Sequence, residues 1–393
     1  MVNTPGYAAT VVEPLHIGAA SNKMIGVVRA VRDARVKAYL VSMPVLGQKA
    51  RTRHVSSTVL RHRDGPQIFL PVVANRYIRK IYALFGFAWF CVVGVGKTDR
   101  VIIYNHAVEY LLGSLILALG GNRPILDVED APRKDEPGFQ GFVGRALFYL
   151  FNRVTRDRKL IVSHALAKVL GLQEYCVVYG ATRRGAGAAS IDLHQPPWGK
   201  AMPMPVRIHY GGSLTADTGV DLFCEAVDLL IGSLQRDVCR VHFVVTGFGS
   251  DAQIKEMETR CTGTGVSISF YPDLSPDEYL HQFRRCHAAL SLKLPESEMA
   301  MTTFPSKVVE ITSHGLLLIS TKASDVPLLF DASSAVLLPE ATPAALASAI
   351  TSVAGDLPAM QQVARRGQER AMELFESRHV GKRIVDFVMN SNA

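Results

Sequence analysis

The chain alternates short apolar runs rich in β-branched residues with longer segments whose apolar positions recur every three to four residues. It does so in two successive series. In the first, residues 8–14 form a strand-like run that ends in a loop around Gly18, and 24–33 carry a helical pattern. Runs at 36–43, 67–73, 101–104, 124–128, 160–163 and 176–179 predict further strands, and helical patterns fill 76–90, 107–119 and 139–154. Residues 183–205 break the rhythm with RRGAGAAS and HQPPWGKAMPMP, which read as a linker. The second series predicts strands at 206–210, 241–246, 266–271, 288–292 and 316–320. Gly211-Gly212 serves as a turn after the first, and Gly247-Phe248-Gly249 ends the second. Helical patterns cover 219–233, 276–286, 305–313, 343–354, 360–373 and 379–389, with Thr342 as a cap and Pro343 in the first helical position. Parallel strands need a crossover that a helix supplies, so this alternation predicts βαβ units and parallel sheets. Two such halves predict two α/β domains, residues 1–185 and 200–376, with a cleft as the expected ligand site.

Composition sharpens this picture in three ways. At 393 residues the chain exceeds one ordinary core, and 48% hydrophobic against 20% charged residues describes a folded protein. A net charge of +8 favours anionic partners, but the basic residues are scattered, with only short clusters at 51–54, 61–63 and 79–80. Nucleic acid is therefore not expected as a partner. Six cysteines without a CxxC pair fit reduced thiols in a cytoplasmic protein better than a disulfide framework or a zinc site. Residues 1–7 show no signal-peptide pattern. The longest uncharged run, 81–96, is shorter than the roughly 20 residues that span a bilayer. It reads as a core helix of the first domain; with Arg79 and Lys80 at its head, a peripheral membrane contact is the other reading.

The most pointed chemistry lies in TFPSKVVEITSHGLLLIS, residues 303–320. Phe304-Pro305-Ser306 leads into a helix whose first N–H groups and positive dipole end suit a diphosphate. Lys307 adds a cation there. Glu310, three residues on and on nearly the same face, has a carboxylate able to accept two sugar hydroxyls. The same two residues also describe an ordinary surface Lys–Glu contact, and taken alone they do not choose. His106, after the VIIY strand, stands where a strand end of an open sheet faces a cleft; a hydrogen-bonded loop histidine is the plainer reading. Asp127, Glu129 and Asp130 form a close acidic group, readable as an acceptor-side site, a Mg²⁺ site or a solvated loop.

The pattern FPSKVxE…GLLLIS resembles the donor-site motif of glycosyltransferase family 4, the group 1 transferases of the GT-B fold. YGGSLTADTGVDLFCEAVDLL, FVVTGFGSD and YPDLSPDEYLHQFRRCHAALSL resemble the preceding segments of that family in the same order, so the likeness covers about residues 200 to 330. It is looser upstream, at HIGAASNK, LDVEDAP, LIVSHAL and VVYGA. The resemblance implies two Rossmann-like parallel-sheet domains facing a cleft, with a C-terminal helix over 377–393 packing back on the first. It implies retaining transfer of a sugar from a nucleoside diphosphate sugar to a hydroxyl acceptor, set in polysaccharide or glycolipid biosynthesis. The acceptor is lipid-linked in one variant of this reading, and the protein then sits peripherally on the inner face of the membrane. Neither a metal nor a cofactor beyond the nucleotide-sugar co-substrate is implied.

Carried over position by position, Glu310 matches the second glutamate of the family's E-x7-E motif, which holds the ribose. Ser306 and Lys307 match positions near the diphosphate, and Thr303, Phe304 and Pro305 complete the donor loop. Gly211, Gly212 and Ser213 match the turn that lets backbone approach the phosphates, and Gly247 and Gly249 match the loop near the base. On the acceptor side, Gly18, Ala19 and Asn22 match the first βα loop and Asp130 an acidic position. His106, Asp130 and Lys307 are the expected catalytic groups. Three departures stand out: Thr302 replaces the first glutamate, and Ser213 and Thr218 replace an arginine and a lysine that normally steady the leaving diphosphate, leaving Lys307 as their substitute. Two other readings stay open, a non-catalytic relative that binds a sugar nucleotide or a partner transferase, and a GT-B-fold nucleotide-sugar epimerase.

Overall fold

The computed structural model describes residues 18–43, 54–62, 65–73, 75, 78–129, 131–132, 137–156, 158–182, 198, 205–233 and 240–390. The strand expected at 8–14 and most of the linker at 183–205 lie outside them. The chain divides into two compact units, one of residues 1–183 with 375–393 and one of residues 184–374.

Unit 1 begins with α1 (Gly18–Asp33), then β1 (Leu40–Ser42), β2 (His54–Val55), β3 (Thr58–His62), β4 (Gly65–Phe69), β5 (Val72–Val73) and α2 (Arg79–Val93). It continues with β6 (Ile102–Tyr104), α3 (Leu111–Leu119), β7 (Ile125–Val128), α4 (Gly138–Thr155), β8 (Lys159–Ile161), α5 (His164–Leu170) and β9 (Tyr175–Val177). Strands β6-β7-β8-β9 form a parallel sheet in that order. The run at 67–73 is not one strand: it divides at Leu70-Pro71 into β4 and β5, since proline donates no ladder hydrogen bond. β4 pairs parallel with β1 but antiparallel with β3, and β2 pairs antiparallel with β5, so this unit is not wholly parallel.

A second correction concerns Gly18, Ala19 and Asn22. They were expected in a loop, yet α1 starts at Gly18 and takes them into its first turns. The alanine pair at 19–20 favours helix strongly enough to move the boundary forward. The closing helix of the chain, which follows those of unit 2, spans Ser377–Met389. Its Val380, Ile384 and Val388 share a core with Val27 and Ala30 of α1 and with Ile125, Leu160 and Val178. A Cβ on Gly381 would overlap the Ala30 carbonyl, so the two helices cross at a point that only glycine allows.

Unit 2 holds β10 (Val206–Leu214), α6 (Val220–Ser233), β11 (Val241–Gly249), α7 (Asp251–Arg260), β12 (Val266–Tyr271), α8 (Pro276–Arg284) and β13 (Ala288–Ser291). There follow α9 (Glu298–Thr302), α10 (Ser306–Ser313), β14 (Leu317–Ser320), α11 (Val326–Leu329), β15 (Val336–Leu337), α12 (Pro343–Gly355) and α13 (Leu357–Phe375). The helix from Ser377 is then α14. The six-stranded sheet runs β12-β11-β10-β13-β14-β15 and is parallel throughout. Its strands read as near-continuous apolar runs because both faces are covered. Phe223 of α6 stacks on Tyr210 at 4.6 Å and meets Phe243 edge-on at 5.1 Å. The strand order reverses between β10 and β13, and ligands of such sheets bind beyond the carboxyl ends at that switch.

One expectation fails here in an instructive way. Gly211-Gly212 is not a turn: β10 runs on to Leu214, and Gly211 and Gly212 pair in register with Thr246 and Gly247 of β11. Gly212, Gly247 and Gly249 have φ of +103°, +115° and +119°. A Cβ on Gly247 would overlap the Gly212 carbonyl, and one on Gly249 the Leu214 carbonyl. The glycines thus let two strands stay paired past the point where side chains would force them apart. Helices α5, α7, α9 and α11 carry no expectation above.

Candidate active site

The carboxyl edge of the unit 2 sheet gathers most of the donor-side candidates. Pro305 caps α10, Phe304 and Pro305 are buried, and Ser306 is exposed in its first turn. Lys307 reaches from α10 back to β10: a Cβ on Gly212 would lie 2.7 Å from its Nζ. Glycine at 212 therefore makes room for an ammonium as well as for a strand. Burial draws the Lys307 pKa down to about 8, with Glu310 pulling the other way. Lys307 forms no ion pair or hydrogen bond with any described residue.

Beneath it, His209 is buried and bonded through Nε2 to Thr246 Oγ1 at 2.9 Å. Its pKa is held well below the usual imidazole value by burial and by the Lys307 charge, so the ring is neutral. A Cβ on Gly211 would strike this His209–Thr246 pair. Glu310, half-buried one turn along α10, lies within electrostatic reach of the Tyr279 hydroxyl. Tyr279 stacks on Phe283 at 5.5 Å and 16°, which fixes the ring near the carboxylate. Burial and the Glu310 charge push the Tyr279 hydroxyl pKa up, so it remains a donor.

A second group lies at the ends of β13 and β14. Lys293 Nζ donates to Thr303 Oγ1, Thr303 Oγ1 donates to Met299 O at 2.7 Å, and Thr321 Oγ1 donates to Lys293 O. Thr302 is buried, with its hydroxyl donated to Glu298 O at 2.9 Å inside α9, so it supplies no carboxylate in place of the family's first glutamate. Thr218 closes the loop after β10: its hydroxyl donates to Ser213 O at 2.6 Å and it completes a capping box with Thr215. A short polar loop lock thus occupies the place of the absent lysine. Ser213 is held in the ladder opposite Phe248, and Gly249 lies two residues beyond Gly247, at the end of β11.

His106 and the acidic group belong to unit 1. Asp127 is not in a solvated loop: it is the third residue of β7, fully buried, with Oδ1 3.2 Å from Lys23 Nζ. Lys23 also lies 3.6 Å from Glu129 Oε2 and over the Tyr104 ring at 5.6 Å, and Tyr104 donates a short hydrogen bond to Glu129. Burial raises the Asp127 pKa against the opposing pull of Lys23, and Oδ2 has no partner. Asn105, at φ +55°, accepts from Glu129 N at 2.9 Å and holds the loop in place. His106 packs edge-on against Phe148 at 5.1 Å, with Nδ1 buried and unpartnered, and burial lowers its pKa. Asp130 lies outside the described residues, as do the side chains of Gly18, Ala19 and Asn22.

Sequence reasoning missed His209, Thr246, Tyr279, Lys293 and Lys23. A basic or polar residue inside an apolar strand, as in VRIHY, was the one available signal for His209. Lys23 carries none, since its partner is more than a hundred positions away.

Residues 205–356 match the family model of glycosyl transferases group 1. The match lies within the second unit, which resembles group 1 glycosyltransferases over most of its length. Among solved structures, sucrose-phosphate synthase from Thermosynechococcus elongatus superposes with a TM-score of 0.68 at 12% identity, covering 97% of this chain and 96% of that one. Anabaena Alr3699/HepE in complex with UDP and glucose gives 0.63 at 16% identity, over 97% and 98% of the two chains. Alpha,alpha-trehalose 6-phosphate synthase from Burkholderia multivorans gives 0.57 at 10%, over 89% and 91%. These likenesses establish the GT-B fold, with two Rossmann-like units. No curated protein matches the chain.

Proposed function

We propose that the protein transfers a sugar, with retention, from a nucleoside diphosphate sugar to a hydroxyl acceptor in polysaccharide or glycolipid assembly. The observation that carries this reading is the Lys307 ammonium, desolvated, unpaired and lying against Gly212 at the switch point of the sheet. A cation so placed meets the charge that develops on a departing diphosphate, as electrostatic catalysis requires. The start of α10 adds N–H donors, with Ser306 at its head. Glu310, with Tyr279 nearby, accepts the ribose hydroxyls, while Gly247 and Gly249 leave room for the base. The acceptor oxygen forms the new bond to the anomeric carbon as the bond to the diphosphate breaks, and the acceptor proton leaves with the nucleoside diphosphate or to solvent. Asp127, Glu129 and His106 of unit 1, with Asp130, are the candidates for acceptor hydroxyls. This reading calls for no metal, because Lys307 and the helix end supply the positive charge.

Thermal-shift measurements with a panel of nucleotide sugars test it. A donor at about 100 times its Kd adds about 2.7 kcal/mol of stability. The shift is expected to vanish in both Lys307→Ala and Glu310→Ala, and its full retention in both would overturn the site. Thr302 and Thr218, each engaged locally, favour a second reading as a non-catalytic sugar-nucleotide binder. Donor binding without turnover across a broad acceptor panel would decide for it.

A further inference from the structure

Helix α2 is apolar on two opposite faces. Its inner row, Ala83, Phe87, Ala88 and Cys91, is buried. Its outer row, Ile81, Tyr82, Phe85, Trp89, Val92 and Val93, recurs at helical spacing and is exposed, Trp89 by 67%. A helix that faces water on one side carries polar residues there. The pattern repeats next door: α3 packs against both α2 and α4 and exposes Leu115 and Leu119, and α4 exposes Phe139, Phe142, Tyr149 and Leu150. None of the three helices contains an aspartate or glutamate, while α2 and α4 contribute Arg79, Lys80, Arg145 and Arg153. No helix among the described residues is long and apolar enough to cross a membrane.

We propose that the outer rows of α2, α3 and α4 form one docking face for an anionic lipid surface. An apolar face of this extent needs cover. The cover meets helices that bring cations and no acid of their own, with Lys80 exposed at the head of α2, which matches anionic headgroups over acyl chains. Aromatic residues with a polar tip, Trp89, Tyr82 and Tyr149, suit the boundary between the two. The inference does not depend on the catalytic reading, since none of these residues belongs to the donor or acceptor sites.

Co-sedimentation of the full chain with phosphatidylcholine vesicles, with and without about 30% phosphatidylglycerol, tests it. Binding is expected with the anionic vesicles and should weaken as salt rises. The double variants Phe85→Asp/Trp89→Asp and Phe142→Asp/Tyr149→Asp should each lower the partition coefficient by roughly tenfold or more. Leu328→Asp, an equally exposed apolar position in unit 2, should leave it unchanged. Brominated acyl chains should quench Trp89 in the unmodified protein, which keeps the test independent of how the variants fold; Trp198, the other tryptophan, is buried. Absence of vesicle binding, unquenched emission, or equal binding by well-folded double variants would overturn the proposal. So would a dimer without lipid affinity that the same substitutions dissociate, since a second copy would then be the cover.

Discussion

The two units place charge differently at the carboxyl edges of their parallel sheets. In unit 1, Lys23 is matched at once by Asp127 and Glu129, with Tyr104 closing the group, so the edge is neutralised from within. In unit 2, strands of nine residues keep pairing through glycines, and Lys307 lies against that bare backbone with no carboxylate of the described residues in ion-pair reach. One edge has spent its cation on folding; the other holds it in reserve for an anion from outside. The same architecture thus separates a cation matched within its own unit from one left for a phosphate.

The sharpest way to break this contrast is Lys23→Met. Removing one member of a buried pair typically costs about 3 kcal/mol or more. Chemical denaturation should show that loss, shrinking as acid protonates Asp127, while the donor-induced thermal shift persists. A loss of the donor shift in a folded Lys23→Met protein would show that the two edges are not separate in function. Next in size is Gly247→Ala, where overlap with the Gly212 carbonyl and a φ of +115° combine. A destabilisation of roughly 2–3 kcal/mol is expected, read as a lowered melting temperature. An unchanged melting temperature would mean the strands have room to separate.

The reserve charge itself is addressed by pH. Lys307, with its pKa near 8, is protonated below that value and loses its charge above it. Donor affinity measured by calorimetry should therefore be level below about pH 8 and fall by up to tenfold per unit above it. The fall continues until the higher pKa of the donor-bound state is reached. A flat profile through pH 9 would remove Lys307 from the diphosphate. The smallest effect is expected from Tyr279→Phe, which removes the hydroxyl beside the Glu310 carboxylate. About threefold to tenfold weaker donor binding is expected, in line with the loss of one polar neighbour of a charged group. No change would reduce Tyr279 to a packing residue.

Local features of the chain were legible in the sequence for a physical reason. Helical period, β-branched runs, Thr342-Pro343 and the Pro305–Glu310 segment express preferences set within a few residues, so element order and the i, i+3 placement of Lys307 and Glu310 followed directly. Gly211-Gly212 misled because glycine is common in turns, and only the pairing with β11 shows that it serves close strand approach instead. Asp127 misled because three acids in four positions look solvated until Lys23 is brought beside two of them.

By itself the sequence determined two α/β series, a helix start carrying a cation and a carboxylate, and a chain rich in apolar helix. Tertiary structure alone decided which cation is paired and which meets no carboxylate among the described residues, and which apolar row of α2 is covered. Pairing and burial are relations between segments far apart in the chain. Periodicity reports that a side chain is apolar or charged, but its partner is chosen only when the sheet brings the distant segment alongside.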